Sequence, residues 1–149
     1  MSKIINIISI GKLSENYQHI ADDYQKMIKW QINSAEITYS QKLPATQIKQ
    51  FEAKLITQRY RHKSSRIILD SNGKSLSSYD FAGLIDSQIM QGIDFIIGGA
   101  FGLDASILET IDNKISLSTM TFPHQLAKII LLEQIYRAQT ILTNHPYHK

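Results

Sequence analysis

Two histidines, a tyrosine and a proline fall within TNHPYHK, Thr143–Lys149. Imidazoles exchange protons near neutral pH, and a phenol ring stacks on a planar base or donates a hydrogen bond. His145, Tyr147 and His148 therefore suit recognition of a planar ring or proton transfer at it. Arg137, one short helix-length upstream, offers a cation that would stabilise negative charge on such a ring, or else simply pairs with Glu133 one turn earlier. With His124 the two tail histidines could supply nitrogen ligands to zinc. Pro146 interrupts any helix that would align them, however, and short His pairs seldom hold a metal unless other ligands converge, so no metal is expected.

A second cluster is QRYRHKSSR, Gln58–Arg66, in which Arg59, Arg61, Lys63 and Arg66 surround Tyr60. Basic residues with an aromatic among them suit phosphate contacts plus base stacking. A helix C-terminus running into a solvated loop explains the same run without a ligand. Charge is divided along the chain. Residues 1–75 hold 12 Lys and Arg against 6 Asp and Glu, and residues 76–149 hold 4 against 7, for a formal total of +3. The halves differ in sign, as expected if the first faces a polyanion, or if solvated faces merely segregate.

The glycine motifs exclude more than they assign. GGAFG, Gly98–Gly102, follows an apolar strand and precedes a helix, the setting of a ligand-binding loop. Its spacing is not G-x-G-x-x-G and it does not follow the first strand, which disfavours a Rossmann dinucleotide site. NGKS, Asn72–Ser75, lacks the earlier glycine of a P-loop and reads as a turn. There is no G-x-S-x-G elbow, and the absence of cysteine excludes disulfides, thiolate nucleophiles and Cys-type zinc sites.

These residues are positioned by an alternation of short apolar runs and amphipathic segments. Strands are expected at Lys3–Ile10, Ala35–Ser40, Arg66–Asp70, Ile93–Gly99 and Lys114–Met120. Helices are expected after Ser14, after Pro44, from Ser78 to a stop at Gly92, over Asp104–Asp112, and from Pro123 to about Leu142. Such alternation demands crossovers, so the predicted class is α/β, a mostly parallel sheet with helices on both faces. Ligands in this class sit beyond the carboxyl ends of the strands, after Asp70, Ile97 and Met120. The last helix is apolar around nearly its whole circumference, which predicts a second covering surface, that of another subunit in a two-fold dimer.

A chain of 149 residues, 43% hydrophobic, suits one domain over 1–149. KIINIISI is interrupted by Asn6 and lacks a small-residue cleavage site, so it is not expected to be a secretory signal, and no stretch is long enough to span a membrane. A cytoplasmic location is the expectation.

The fragments LD before a glycine turn, FIIGGAFGL, and SLSTMTFPHQLAKIILLEQIYRAQTILTNHPYHK resemble, over the whole length, one group of SPOUT-superfamily methyltransferases. These modify N3 of a pseudouridine in 23S ribosomal RNA and form the ribosomal large-subunit methyltransferase H family. The resemblance implies a homodimer, a C-terminal trefoil knot that periodicity could not reveal, and S-adenosyl-L-methionine as methyl donor. It implies cofactor contacts at Leu69, Gly98, Leu117, Ser118, Thr119, Met120, Thr121 and Phe122, with Gly98 and Gly99 letting the loop close over the adenosyl group. It also implies that Arg137, His145, Tyr147 and His148 act on the base beside the bound methyl group. Arg137 is then the electrostatic stabiliser, His148 the proton acceptor, and His145 with Tyr147 the positioning groups. Arg59, Arg61, Lys63 and Arg66 become contacts to the RNA backbone. Relatives often carry Arg where this chain has Lys149, which removes a bidentate phosphate contact at that position. The alternatives are a non-catalytic RNA- or ribosome-binding dimer and a knotted tRNA methyltransferase.

Overall fold

A computed structural model describes residues 3–149; positions 1 and 2 of the expected 1–149 span lie outside the described residues. In chain order the elements are β1 (Ile4–Ile10), α1 (Glu15–Met27), β2 (Gln31–Ile37), α2 (Ala45–Thr57), β3 (Ser65–Ser75), α3 (Ser78–Gln88), β4 (Ile93–Ile97), α4 (Ala105–Leu108), β5 (Lys114–Ser116) and α5 (His124–Leu142). The five strands form one sheet in the order β2-β1-β4-β3-β5. Every pairing is parallel, as the alternation of strand and helix requires.

Side-chain alternation divides the core. Ile5 and Ile7 of β1, Ile67 of β3 and Phe95 of β4 pack with α1, α3 and α5, whereas Ile8, Ile10, Ile68 and Ile96 pack with α2 and α4. Crossovers stepping toward the β2 edge (α1, α3) thus use one face, and those stepping toward β5 (α2, α4) use the other. A uniform crossover hand has this consequence. Helix α5 lies between α1 and α3 over the sheet and runs back toward the amino ends of the strands. Its buried polar residues are satisfied within the chain: Lys128 Nζ lies 3.4 Å from Glu36 Oε2, and Gln139 Nε2 donates to the Met27 carbonyl at 3.1 Å. Much of the apolar circumference that predicted a partner is therefore covered by α1, α3 and the sheet.

Several expected boundaries shift for local reasons. The second strand spans Gln31–Ile37 instead of Ala35–Ser40, because its in-register pairing with β1 runs from Ile4↔Gln31 to Ile10↔Ile37. SNGKS is not a simple turn. β3 continues through it to Ser75, and both Leu69 and Lys74 lie opposite Ile115 across a register shift. The bulge depends on Gly73, where a Cβ would stand 2.7 Å from the Lys114 carbonyl carbon. The fifth strand stops at Ser116 because serine side chains replace the ladder: Ser116 Oγ donates to the Ser118 carbonyl at 2.7 Å, and Ser118 Oγ accepts from Met120 N–H at 3.0 Å. The fourth helix is one turn capped by Asp104, which accepts from Ser106 N–H. Ser77, not Ser78, caps α3 through a reciprocal pair with Asp80.

Candidate active site

The carboxyl ends of β3, β4 and β5 open into a cleft of about 770 Å³, within the size range of small-molecule sites. Leu69 closes it from β3, Gly98 from the loop after β4, and Leu117, Ser118, Met120, Thr121 and Phe122 from the segment between β5 and α5. Thr119 sits in that segment without lining the cleft. Met120 is 73% exposed at the rim, so it walls the cleft from its mouth and not from its floor. Lys49, Asp70 and His124 also line the cleft. Sequence reasoning gave them no part in ligand binding, and His124 entered only as a conceivable metal ligand.

The glycines of the loop are also required by packing within the chain. A Cβ on Gly98 would stand 2.9 Å from Leu103 Cγ, and one on Gly99 3.1 Å from Ile10 Cγ2. They are small because the loop folds against itself and the core. Gly102, at φ +80°, completes the turn by donating to the Gly99 carbonyl at 3.0 Å. The helix α5 then begins at the cleft, and its amino end is tied to the loop after β1. Ser14 N–H donates to Gln125 Oε1 at 2.7 Å, and Leu13 N–H donates to Glu36 Oε2 at 2.9 Å. Burial pushes the pKa of the Lys128 ammonium below its ordinary value, against the opposing pull of Glu36.

The tail forms a second cluster. Asn144, at φ +57°, ends α5 in the left-handed conformation. Its N–H donates to the Ile141 carbonyl at 3.3 Å, and His145 N–H donates to the Thr140 carbonyl at 2.8 Å. This paired C-cap turns the chain back along the helix. Glu133 becomes the hub: its Oε1 accepts from Arg137 Nε at 2.9 Å, Arg137 Nη2 at 2.6 Å and Tyr147 Oη at 3.1 Å. Arg137 Nη1 lies 3.0 Å from His148 Nδ1, its guanidinium carbon 4.8 Å from the Tyr147 ring centre. Tyr147 and His148 further meet Tyr136 and Tyr79 edge-on at 4.8 and 4.7 Å. His145 Nδ1 accepts from Tyr147 N–H at 3.2 Å. Arg137, His145, Tyr147 and His148 are thus brought together.

Electrostatics keep Arg137 and Tyr147 protonated. Hydrogen bonds to Glu133 raise the already high pKa of Arg137. Desolvation, then Glu133, raises that of Tyr147. Glu133 was visible in sequence only as an i,i+4 partner of Arg137, and the Tyr79 contact, arriving from α3, left no local signal.

The third cluster lies at the amino ends of the strands. Asp94, fully buried, accepts from Arg61 N–H at 2.9 Å, Ser64 Oγ at 2.7 Å and Asn6 Nδ2 at 3.3 Å, which shapes the basic loop around it. Arg59 and Lys63 are exposed and Arg61 is partly so. Arg66 is committed inward: its guanidinium carbon lies 4.2 Å from the Tyr60 ring centre and its Nε 3.9 Å from Asp94. It is the least available of the four to a polyanion. Among the described residues no three His, Cys, Asp or Glu side chains converge as a metal site. Among the described residues, no helix is long and apolar enough to cross a membrane.

Cleft and tail are separated by α5. From His124 to Arg137 the helix rises about 20 Å at 1.5 Å per residue. The base-handling residues expected beside the cleft therefore lie roughly 20 Å from it along α5 in the same chain.

Comparison with known proteins accounts for this assembly. The chain is 41% identical to a Clostridium botulinum protein named Ribosomal RNA large subunit methyltransferase H, over 158 residues covering 97% of this chain and 99% of the relative. Its fold matches a probable methylase family protein from Haemophilus influenzae with TM-score 0.61 at 12% identity, covering 99% of this chain and 71% of that one. It also matches the SpoU methyltransferase AviRb from Streptomyces viridochromogenes, solved in complex with the cofactor AdoMet, with TM-score 0.53 at 10% identity, covering 93% and 59%. Residues 4–148 match the family model described as "Predicted SPOUT methyltransferase", and the chain belongs to the SPOUT methyltransferase family.

Proposed function

We propose that this methyltransferase uses S-adenosyl-L-methionine to methylate N3 of a pseudouridine in the 23S rRNA of the large ribosomal subunit, in the cytoplasm. The observation that carries the reading is the 41% identity, across nearly the full length of both chains, to a protein named for that class of rRNA modification. The cleft fits the donor in size and in lining: main chain from the Gly98 loop and the Leu117–Phe122 segment for polar edges, with Leu69, Leu103 and Phe122 for apolar ones. When bound, the donor supplies an electrophilic methyl group on a sulfonium.

The chain's own residues perform the remaining tasks. N3 must give up its proton so that its electron pair can form the new bond to carbon as the sulfur–carbon bond breaks. Arg137 stabilises the negative charge left on the base. Tyr147 and His145 orient the ring, and His148 serves as proton acceptor. While Arg137 Nη1 donates to His148 Nδ1, the neutral imidazole carries its proton on Nε2. The acceptor role therefore begins when the incoming base draws Arg137 away. Arg59, Arg61 and Lys63 hold RNA phosphates.

The roughly 20 Å along α5 between cleft and tail, about 13 residues at 1.5 Å each, supports a homodimer. A second copy with its α5 antiparallel would lay its tail over the cleft of the first, and two-fold symmetry would complete both sites. In this reading residues 1–149 form one domain whose C-terminal part is knotted. Mass mapping of 23S rRNA from a deletion strain tests the function. One missing methyl on one pseudouridine, restored by the wild-type gene, is the expected result; an unchanged map refutes it.

A further inference from the structure

Beneath the glycine loop lies a carboxylate that this chemistry leaves unused. Glu52, in the middle of α2, is 5% exposed. Its Oε2 accepts from Tyr39 Oη at 2.8 Å, while its buried Oε1 has no hydrogen-bond partner. Both oxygens face Gly99, where a Cβ would stand 3.2 Å from Oε1 and 3.3 Å from Oε2. Asp94 provides the contrast: equally enclosed, it has both oxygens satisfied by Asn6, Arg61 and Ser64. An orphaned buried acceptor is costly, and a carboxylate more so than a neutral group.

The arrangement around Glu52 gives the free oxygen a direction. Tyr39 is held edge-on by Phe51 at 5.0 Å, and acceptance by Glu52 raises the phenol's pKa, which keeps it a donor. With one oxygen pinned, the other faces the Gly98–Gly102 loop at Gly99. That loop lines the cleft, and so does Lys49, one turn earlier on α2. No hydrogen bond joins Glu52 to the loop in the described arrangement.

We propose that Glu52 is a positioning residue for methyl transfer: its free oxygen receives the backbone N–H of Gly99 or Ala100 when the glycine loop settles around the methyl donor. The lack of a Cβ at Gly99 lets carboxylate and main chain approach closely enough for this bond. The inference rests on the reading of the cleft as the donor's site. It adds that part of the donor's affinity comes from a residue that never touches it.

Calorimetric titration with S-adenosylmethionine, thermal unfolding and amide hydrogen exchange of the wild-type enzyme, Glu52→Met and Glu52→Gln provide the test. Methionine fills the space without an acceptor, so the ligand-free Glu52→Met protein should melt no lower than wild type. It should bind the donor about tenfold more weakly or worse, the factor a charge-assisted hydrogen bond represents, and the Gly99 and Ala100 amides should lose the protection that donor binding gives them in the wild type. KM for the donor should rise while kcat at saturation holds, and Glu52→Gln, which keeps an acceptor, should recover part of the affinity. Tyr39→Phe, which frees the pinned oxygen, should show a smaller loss and serves if Glu52→Met does not fold. Unchanged affinity and protection in Glu52→Met, or parallel loss of stability and affinity, overturns the role of Glu52 alone. A wild-type enzyme that takes up no donor overturns the cleft assignment and this role with it.

Discussion

The cleft and the tail differ in what they are made of. The cleft is formed by tightly folded loops, held in shape by glycines pressed against Leu103 and Ile10 and by serines bonded to their own neighbours. The tail is side chains converging on one carboxylate, Glu133, with aromatic rings packed at their edges. A site built of close-packed loops is damaged by added volume, which displaces the loop. A site built of side chains is damaged by truncation, which leaves the remaining partners unpaired.

Truncation at the tail should have the largest effect. Arg137→Ala removes the cation facing the developing charge and should lower kcat by about 10²–10³-fold, the range for loss of one preorganised charge-stabilising donor. Donor affinity by calorimetry should hold within about twofold because the cleft's own lining includes no tail residue. Equal losses in both would merge the two regions into one. A mixing experiment sharpens the separation. Thr121→Trp, which blocks the cleft, and Arg137→Ala should each be inactive alone, yet co-refolded in equal amounts they should regain about a quarter of wild-type activity if each site takes its tail from the partner. No recovery would place both halves of each site in one chain.

Added volume at the cleft should come next. Gly98→Ala sets a Cβ 2.9 Å from Leu103 Cγ, and overpacking of this kind costs roughly 1–3 kcal/mol. Donor affinity should fall about tenfold, with a lower melting temperature and with kcat at saturation nearly intact. Glu133→Gln should be milder. It keeps a hydrogen-bond acceptor but loses the charge that orients Arg137, so kcat should drop by roughly tenfold while donor binding is unmoved.

How much of this was legible depended on whether its cause was local. Short apolar runs, helical spacing and helix-start signals located all ten elements, since burial leaves such runs in buried strands and such spacing in helices. Pro123 marked the start of α5 to within one residue. SNGKS misled because its composition is that of a turn while its structure is decided by Ile115, which meets β3 at both Leu69 and Lys74. KISLSTM misled in the opposite sense: its strand propensity is real, but its serines offer the main chain a competing set of bonds. The cleft residues came from family resemblance and from the rule about strand ends, and seven of the eight line the cavity. Glu52 was invisible, because a lone acid on an amphipathic helix reads as solvated surface until the loop above it is known.

The smallest expected effect lies at the amino end of α5, where the cleft is fastened to the body of the fold. Lys128 is 2% exposed and pairs with Glu36 at 3.4 Å. Desolvation lowers its pKa below 10.5 despite Glu36. The folded state therefore sheds the Lys128 proton at lower pH than the unfolded state, which then binds more protons. Stability from this group rises with pH between the lowered value and 10.5 and is flat below that window. Chemical unfolding of the wild type and of Lys128→Met across the alkaline range isolates the contribution, because tyrosines common to both cancel in the difference. The wild type should gain on the variant as pH climbs through the window. Cleft affinity for the donor should change less than threefold, an expected value for a residue that holds α5 without lining the site. A difference curve flat to pH 10.5 would mean that Glu36 fully offsets burial, and that this fastening is an ordinary ion pair.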